Sequence, residues 1–187
     1  MLKEYKELHP GVHLRVSNHS TSQAISTLKI GSVDIAIVTT PTGELHNLKC
    51  ETVKNIKEVA VCGTAFSRLS KEQITLADIA KLPIVSLGTH TKTYDFYTEW
   101  FLQHGILFTP DIEASTADQI LPMVKNNLGI GFVPQRFLED EDSNDVIILD
   151  LKERIPTRSI CLIQKSDQAL NIAAKELERM MLKQTHQ

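Results

Sequence analysis

Hydroxyl side chains gather at four places where a strand-like run gives way to the next element. They are His19-Ser20-Thr21-Ser22, Thr39-Thr40-Pro41, Thr89-His90-Thr91-Lys92-Thr93 and Ser115-Thr116. All but the second open a helical pattern. A helix start leaves up to about four backbone N–H groups unpaired and carries about half a positive charge. Hydroxyls beside such groups suit a small anion. They suit capping equally well, since Ser and Thr are favoured N-caps. Thr39-Thr40-Pro41 opens no obvious helix, so capping accounts for it less well. Lys92 is the cation among these loops. It can face a carboxylate or oxyanion as a point charge, or sit solvated at the loop tip. The candidate ligand contacts are therefore Ser20, Thr21, Thr39, Thr40, Lys92, Thr93 and Thr116. Gly131, Phe132 and Val133 add an apolar wall, because a glycine in a strand allows close approach. Phe132 and Val133 fit an ordinary core as well.

Catalytic patterns are missing. The chain has no G-x-S-x-G, H-E-x-x-H, Walker A or C-x-x-C motif. Gly129-Ile130-Gly131 looks like the start of a dinucleotide fingerprint, but it enters a strand and the third glycine is lacking. Seven histidines are scattered without metal spacing; His19 and His90 fall in candidate loops. Of three cysteines, Cys62 and Cys161 lie in apolar runs. They read as plain core residues of a reducing cytoplasm. No catalytic residue, metal site or cofactor is expected.

The elements that must position these loops alternate strand and helix. Tyr5 and Leu8 share a face of a first helix, which His9-Pro10-Gly11 ends. A helix at the first residue suggests a piece of a longer protein. Val12–Val16 alternates as a strand does. Ser20 to Ile30 is a helix with a Ser20/Gln23 capping box, an Ile25/Leu28 stripe and Gly31 as its stop. Asp34–Val38 reads as a strand buried on both faces. Ile56–Cys62, Pro83–Leu87, Asp111–Ala114, Gly129–Pro134, Asp145–Leu149 and Arg158–Ile163 read as further strands. Helices run from Thr93 to His104, from Thr116 onward and from Ser166 to Leu182. Tyr97, Trp100 and Phe101 form the buried side of the first of these. Pro122 should break a backbone bond in the second. The acidic run Glu139–Asp145 is a solvated loop.

The chain has 187 residues, with 20 Lys+Arg against 23 Asp+Glu and 42% hydrophobic residues. This is globular composition, and the acidic excess argues against nucleic-acid binding by these residues. No apolar run reaches the roughly 18 residues of a membrane span, and the start is not a secretory signal. The alternation predicts an α/β fold of two Rossmann-like lobes with a central cleft. Lobe I would comprise residues 1–62 plus 161–187, and lobe II residues 63–160.

The chain resembles the effector-binding domain of LysR-type transcriptional regulators over nearly its whole length. Tyr5-Lys6-Glu7-Leu8-His9-Pro10-Gly11-Val12-His13-Leu14 is similar to the family's F-x-x-x-x-P-x-V-x-L. Leu28, Gly31, Asp34, Ile35, Ala36 and Ile37 match its L-x-x-G-x-x-D-x-A-I, and Gly129 to Pro134 its L-G-I-x-x-L-P. The resemblance implies a type 2 periplasmic-binding-protein-like fold and a small-molecule effector between the lobes; the hydroxyl-rich helix starts and Lys92 point to a small anion as that effector. It also implies a cytoplasmic homodimer, with a tetramer open for the full-length protein. DNA would be held only through an amino-terminal winged helix-turn-helix that this chain lacks. The family's first strand is also missing, which would expose a sheet edge. Two other readings stay open: a solute-binding protein of a transport system with the same fold, and an enzyme on a related fold.

Overall fold

The computed structural model describes residues 1–139 and 145–183. These divide into two compact units, one holding residues 1–55 and 159–183, the other residues 56–139 and 145–158.

In the first unit, helix α1 (Leu2–Leu8) is held by one residue. Tyr5 is buried, and its hydroxyl donates to the Ala173 carbonyl at 2.8 Å, reaching helix α6 (Ile172–Lys183). Leu8 does not share that face, being 62% exposed. Val12–Val16 joins no strand despite its alternation. Alternation makes a strand only where a neighbour supplies backbone partners, and Val16 is largely exposed. Helix α2 (Thr21–Lys29) follows its sequence pattern. Ser20 and Gln23 close the capping box, Ile25 and Leu28 are buried, and Gly31 takes a φ of 77° beyond the end.

Strands β1 (Ala36–Thr39), β2 (Leu48–Ile56) and β8 (Arg158–Lys165) are ordered β1-β8-β2. Strand β1 runs antiparallel to β8, with Ala36 opposite Ile163 and Thr39 opposite Ile160. This pair departs from the parallel pairing of a Rossmann-like lobe. Ile37 is half-exposed, so β1 buries one face and not two. Ile25, Leu28, Ala36, Val38, Cys161 and Ile163 form this unit's core.

The second unit holds β3 (Glu58–Gly63), β4 (Ile84–Leu87), β5 (Ile112–Ala114), β6 (Ile130–Pro134) and β7 (Val146–Ile148), ordered β5-β4-β6-β3-β7. Strand β4 is parallel to β5 and β6, whereas β3 is antiparallel to β6 and β7. The sheet is thus mixed. Strand β3 is buried throughout. Its alternate residues feed two cores: Ala60 and Cys62 join Tyr97, Trp100, Phe101 and Phe132, while Val59 and Val61 join Val85, Val124 and Val133. Helix α3 (Leu76–Ile79) and helix α4 (Lys92–Gln103) add to the first core, and α5 (Ile120–Lys125) to the second.

The divisions fall at 55/56 and 158/159, where 62/63 and 160/161 were expected. Strand β3 lies wholly in the second unit, between β6 and β7 of its sheet. Pro122 does not kink a long helix. A 3-10 turn (Ala117–Gln119) precedes α5, so Pro122 sits in the first helical turn, where an N–H has no partner anyway. Most of the acidic run Glu139–Asp145 lies outside the described residues. Among the described residues no helix is long and apolar enough to cross a membrane, and no cluster of His, Cys, Asp or Glu could hold a metal.

Candidate functional site

A hydroxyl has one hydrogen to give and lone pairs that accept, so following each hydrogen separates caps from ligand contacts. The Ser20 Oγ accepts the Gln23 N–H at 3.4 Å and donates to Gln23 Oε1 at 3.1 Å. Thr91 Oγ1 accepts the Tyr94 N–H at 3.1 Å and donates to the Gly88 carbonyl at 2.9 Å. Both hydrogens are used inside their own caps. Thr21 Oγ1 donates to the Thr39 carbonyl at 3.4 Å, which ties the start of α2 to the end of β1. Thr40 is fixed by β8: its N–H donates to the Ser159 carbonyl at 2.9 Å, and its Oγ1 accepts the Ser159 N–H at 2.9 Å.

Thr93, in the first turn of α4, differs from the caps. Its Oγ1 accepts from Arg158 Nη2 at 3.0 Å. Among the described residues its hydrogen goes to no protein acceptor. The N–H groups of Lys92 and Thr93 likewise have no intrahelical acceptor. The loop meets two carboxylates and offers one lysine. Lys92 Nζ donates to the Asp95 carboxylate at 2.8 Å, and a Cβ on Gly88 would come within 2.9 Å of Glu113 Oε2. Thr116 caps a short turn, where the Ser115 and Thr116 N–H groups share Gln119 Oε1.

The structure places the supposed apolar wall in the core. Phe132 is 6% exposed, and its ring centroid lies 4.9 Å from that of Tyr97. Val133 is buried too. Gly131 has a packing reason, since a Cβ there would meet Val124 Cγ2 at 2.7 Å and Ile120 Cγ2 at 2.9 Å. The glycine lets α5 approach the sheet. His19 and His90 are exposed.

A buried polar group beneath Thr93 escaped the sequence reading. Arg158 Nη1 donates to Glu58 Oε1 at 2.8 Å, the Tyr97 hydroxyl donates to Glu58 Oε2, and the guanidinium carbon lies 4.9 Å from the Phe96 ring centroid. Burial pushes the Glu58 carboxyl above the ordinary range, while Arg158 opposes that shift. The available signal was slight: a charged residue heading each of two apolar strands. A groove of about 490 Å³ also lies in this unit, lined by Lys57, Lys152 and Arg154 together with Glu58, Asp150 and Glu153. Its charges are mixed and select no ligand class.

The model of the LysR substrate binding domain family matches residues 1–185. The uncharacterized HTH-type transcriptional regulator YwbI of Bacillus subtilis is 23% identical over 94% of this chain and 58% of its own length. The chain spans about half the length of the curated relatives it matches. Among solved structures, the regulatory domain of Synechocystis PCC6803 CcmR in complex with 2-PG superposes with a TM-score of 0.83 at 19% identity, covering 98% of this chain and 88% of that one. The effector binding domain of QuiR in complex with shikimate gives 0.80 at 17% identity, covering 99% and 88%. Such identities establish the fold, which is that of the effector-binding domains.

Proposed function

Since the chain belongs to the LysR substrate binding domain family, we propose that it is the effector-sensing part of a transcription regulator. The effector is a small molecule carrying a carboxylate or oxyanion. Its contact in the second unit is Thr93, with the N–H groups of Lys92 and Thr93 at the start of α4. Ser20 and Thr116 shape these turns as caps. Lys92, already engaged by Asp95, contributes little net charge. One observation carries the reading: the Thr93 hydrogen is left for an outside acceptor, whereas the Thr91 hydrogen is used internally.

Binding shifts the population of conformations and thereby the geometry of a homodimer, which is how the signal leaves the domain. The sensing role belongs to the cytoplasm, where the regulated DNA is. The curated relatives are named as HTH-type transcriptional regulators, which favours this reading over transport. Isothermal titration with sulfate, phosphate, simple carboxylates, 2-PG and shikimate tests it. Saturable binding of an anion is expected. Binding of neutral aromatic compounds alone would refute the anion. Light scattering at high concentration tests the dimer, and a monomer would refute it.

A further inference from the structure

We infer that Arg158 is a positioning residue of the ligand site, turning the Thr93 hydroxyl hydrogen outward and so favouring an acceptor as the ligand atom opposite. This rests on the reading of Thr93 as a ligand contact. An arginine has only donors to offer. When Arg158 Nη2 donates to Thr93 Oγ1 at 3.0 Å, it takes up a lone pair of that oxygen. The hydroxyl hydrogen is then turned away from the guanidinium by charge and geometry. A donor on the oxygen also polarises the O–H bond, so that it gives its own hydrogen more strongly.

The arrangement holds Arg158 in place. Its other arm donates to Glu58 at 2.8 Å, its face lies on Phe96, and both side chains of the ion pair are nearly fully buried. Tyr97, one turn along α4 from Thr93, donates to the remaining Glu58 oxygen. The guanidinium thus stays where it can only donate to Thr93. A ligand hydroxyl or ammonium hydrogen would meet only the second lone pair of Thr93 Oγ1, beside a guanidinium that repels an ammonium. A carboxylate, oxyanion or carbonyl oxygen would find a donor.

The test is a titration of the full 187-residue chain with inorganic sulfate, followed by amide NMR shifts, with methylammonium as the opposite probe. The variants are Thr93→Val, Thr93→Ser, Arg158→Lys and the Thr93→Val/Arg158→Lys pair. Lysine keeps the charge but cannot span both Glu58 and Thr93. Thr93→Val should weaken sulfate about tenfold or more, the worth of one hydrogen bond to a charged group. Thr93→Ser should restore it. Arg158→Lys should weaken sulfate while admitting methylammonium, and the pair should bind no worse than Thr93→Val alone. Wild-type sulfate affinity in Arg158→Lys, or losses that multiply in the pair, would overturn the inference. If Arg158→Lys does not fold, unchanged affinity in Thr93→Val still overturns it. No shifts in the wild-type protein would overturn the ligand reading together with it.

Discussion

Arg158 and Glu58 stand 100 residues apart in sequence and meet at 2.8 Å, with side chains 4% and 2% exposed. Removing one member leaves a buried charge without its counter-charge. Arg158→Met should therefore destabilise the protein by about 3–5 kcal/mol. The apolar set Glu58→Leu, Tyr97→Phe and Arg158→Met should recover most of that loss. Urea unfolding of the two variants checks the order.

Gly129→Ala should be costlier than Gly11→Ala. A Cβ at Gly129 would come within 2.5 Å of the Pro83 carbonyl oxygen, which is backbone and cannot swing aside, whereas nothing lies within 4 Å at Gly11. Overpacking of this kind costs about 1–3 kcal/mol. Thermal unfolding should show a clear drop in Tm for Gly129→Ala and little change for Gly11→Ala.

Ser20→Ala removes the acceptor for the Gln23 N–H at the start of α2. The expected loss is about 1 kcal/mol. Because the Ser20 hydrogen is already used by Gln23, sulfate affinity should stay within about twofold of wild type, well short of the loss expected for a charged-group hydrogen bond. Denaturant and titration curves on the same variant separate these effects.

Partial burial and the neighbouring Cys161 thiol push Cys50 up to about 11, and burial pushes Cys62 up to about 11. An ordinary thiol ionises near 8.5 (roughly), so the folded state holds protons that the unfolded chain releases. Stability from these thiols is full below that ordinary value and is lost as pH rises toward 11. Unfolding midpoints should fall across that interval, more steeply than in Cys50→Ser/Cys62→Ala. Aromatic-disulfide labelling of the native protein at pH 8 should reach the exposed Cys50 well before the buried Cys62 and Cys161, and denaturant should make all three fast.

Local patterns were legible where the cause is local. The Ser20/Gln23 capping box, the Ile25/Leu28 stripe and the Tyr97/Trp100/Phe101 face of α4 could be read directly, because each depends on residues within one or two turns. Strand pairing was not legible in the same way. Val12–Val16 alternates and forms no strand, while β2, a run of mostly polar residues, is a strand through its place beside β8. The antiparallel direction of β3 is equally a property of its neighbours. Among candidate contacts, the residue types marked the loops, but Ser20 and Thr93 look alike until their hydrogens are followed. The Glu58–Arg158 pair showed only as a charged residue at the head of each of two apolar strands, since its partners meet only after folding.

The position of that pair has a consequence for recombining segments among related proteins. A swapped block spanning 56–158 carries Glu58, Thr93, Tyr97 and Arg158 together. A block cut at 62/63 brings Arg158 from one parent and whatever precedes β3's end from the other. Unless both parents hold an acid at that place, the hybrid inherits a guanidinium sealed away from water without its carboxylate. A single crossover between 58 and 158 therefore splits this ion pair, whereas none or two within that interval keep both partners from one parent.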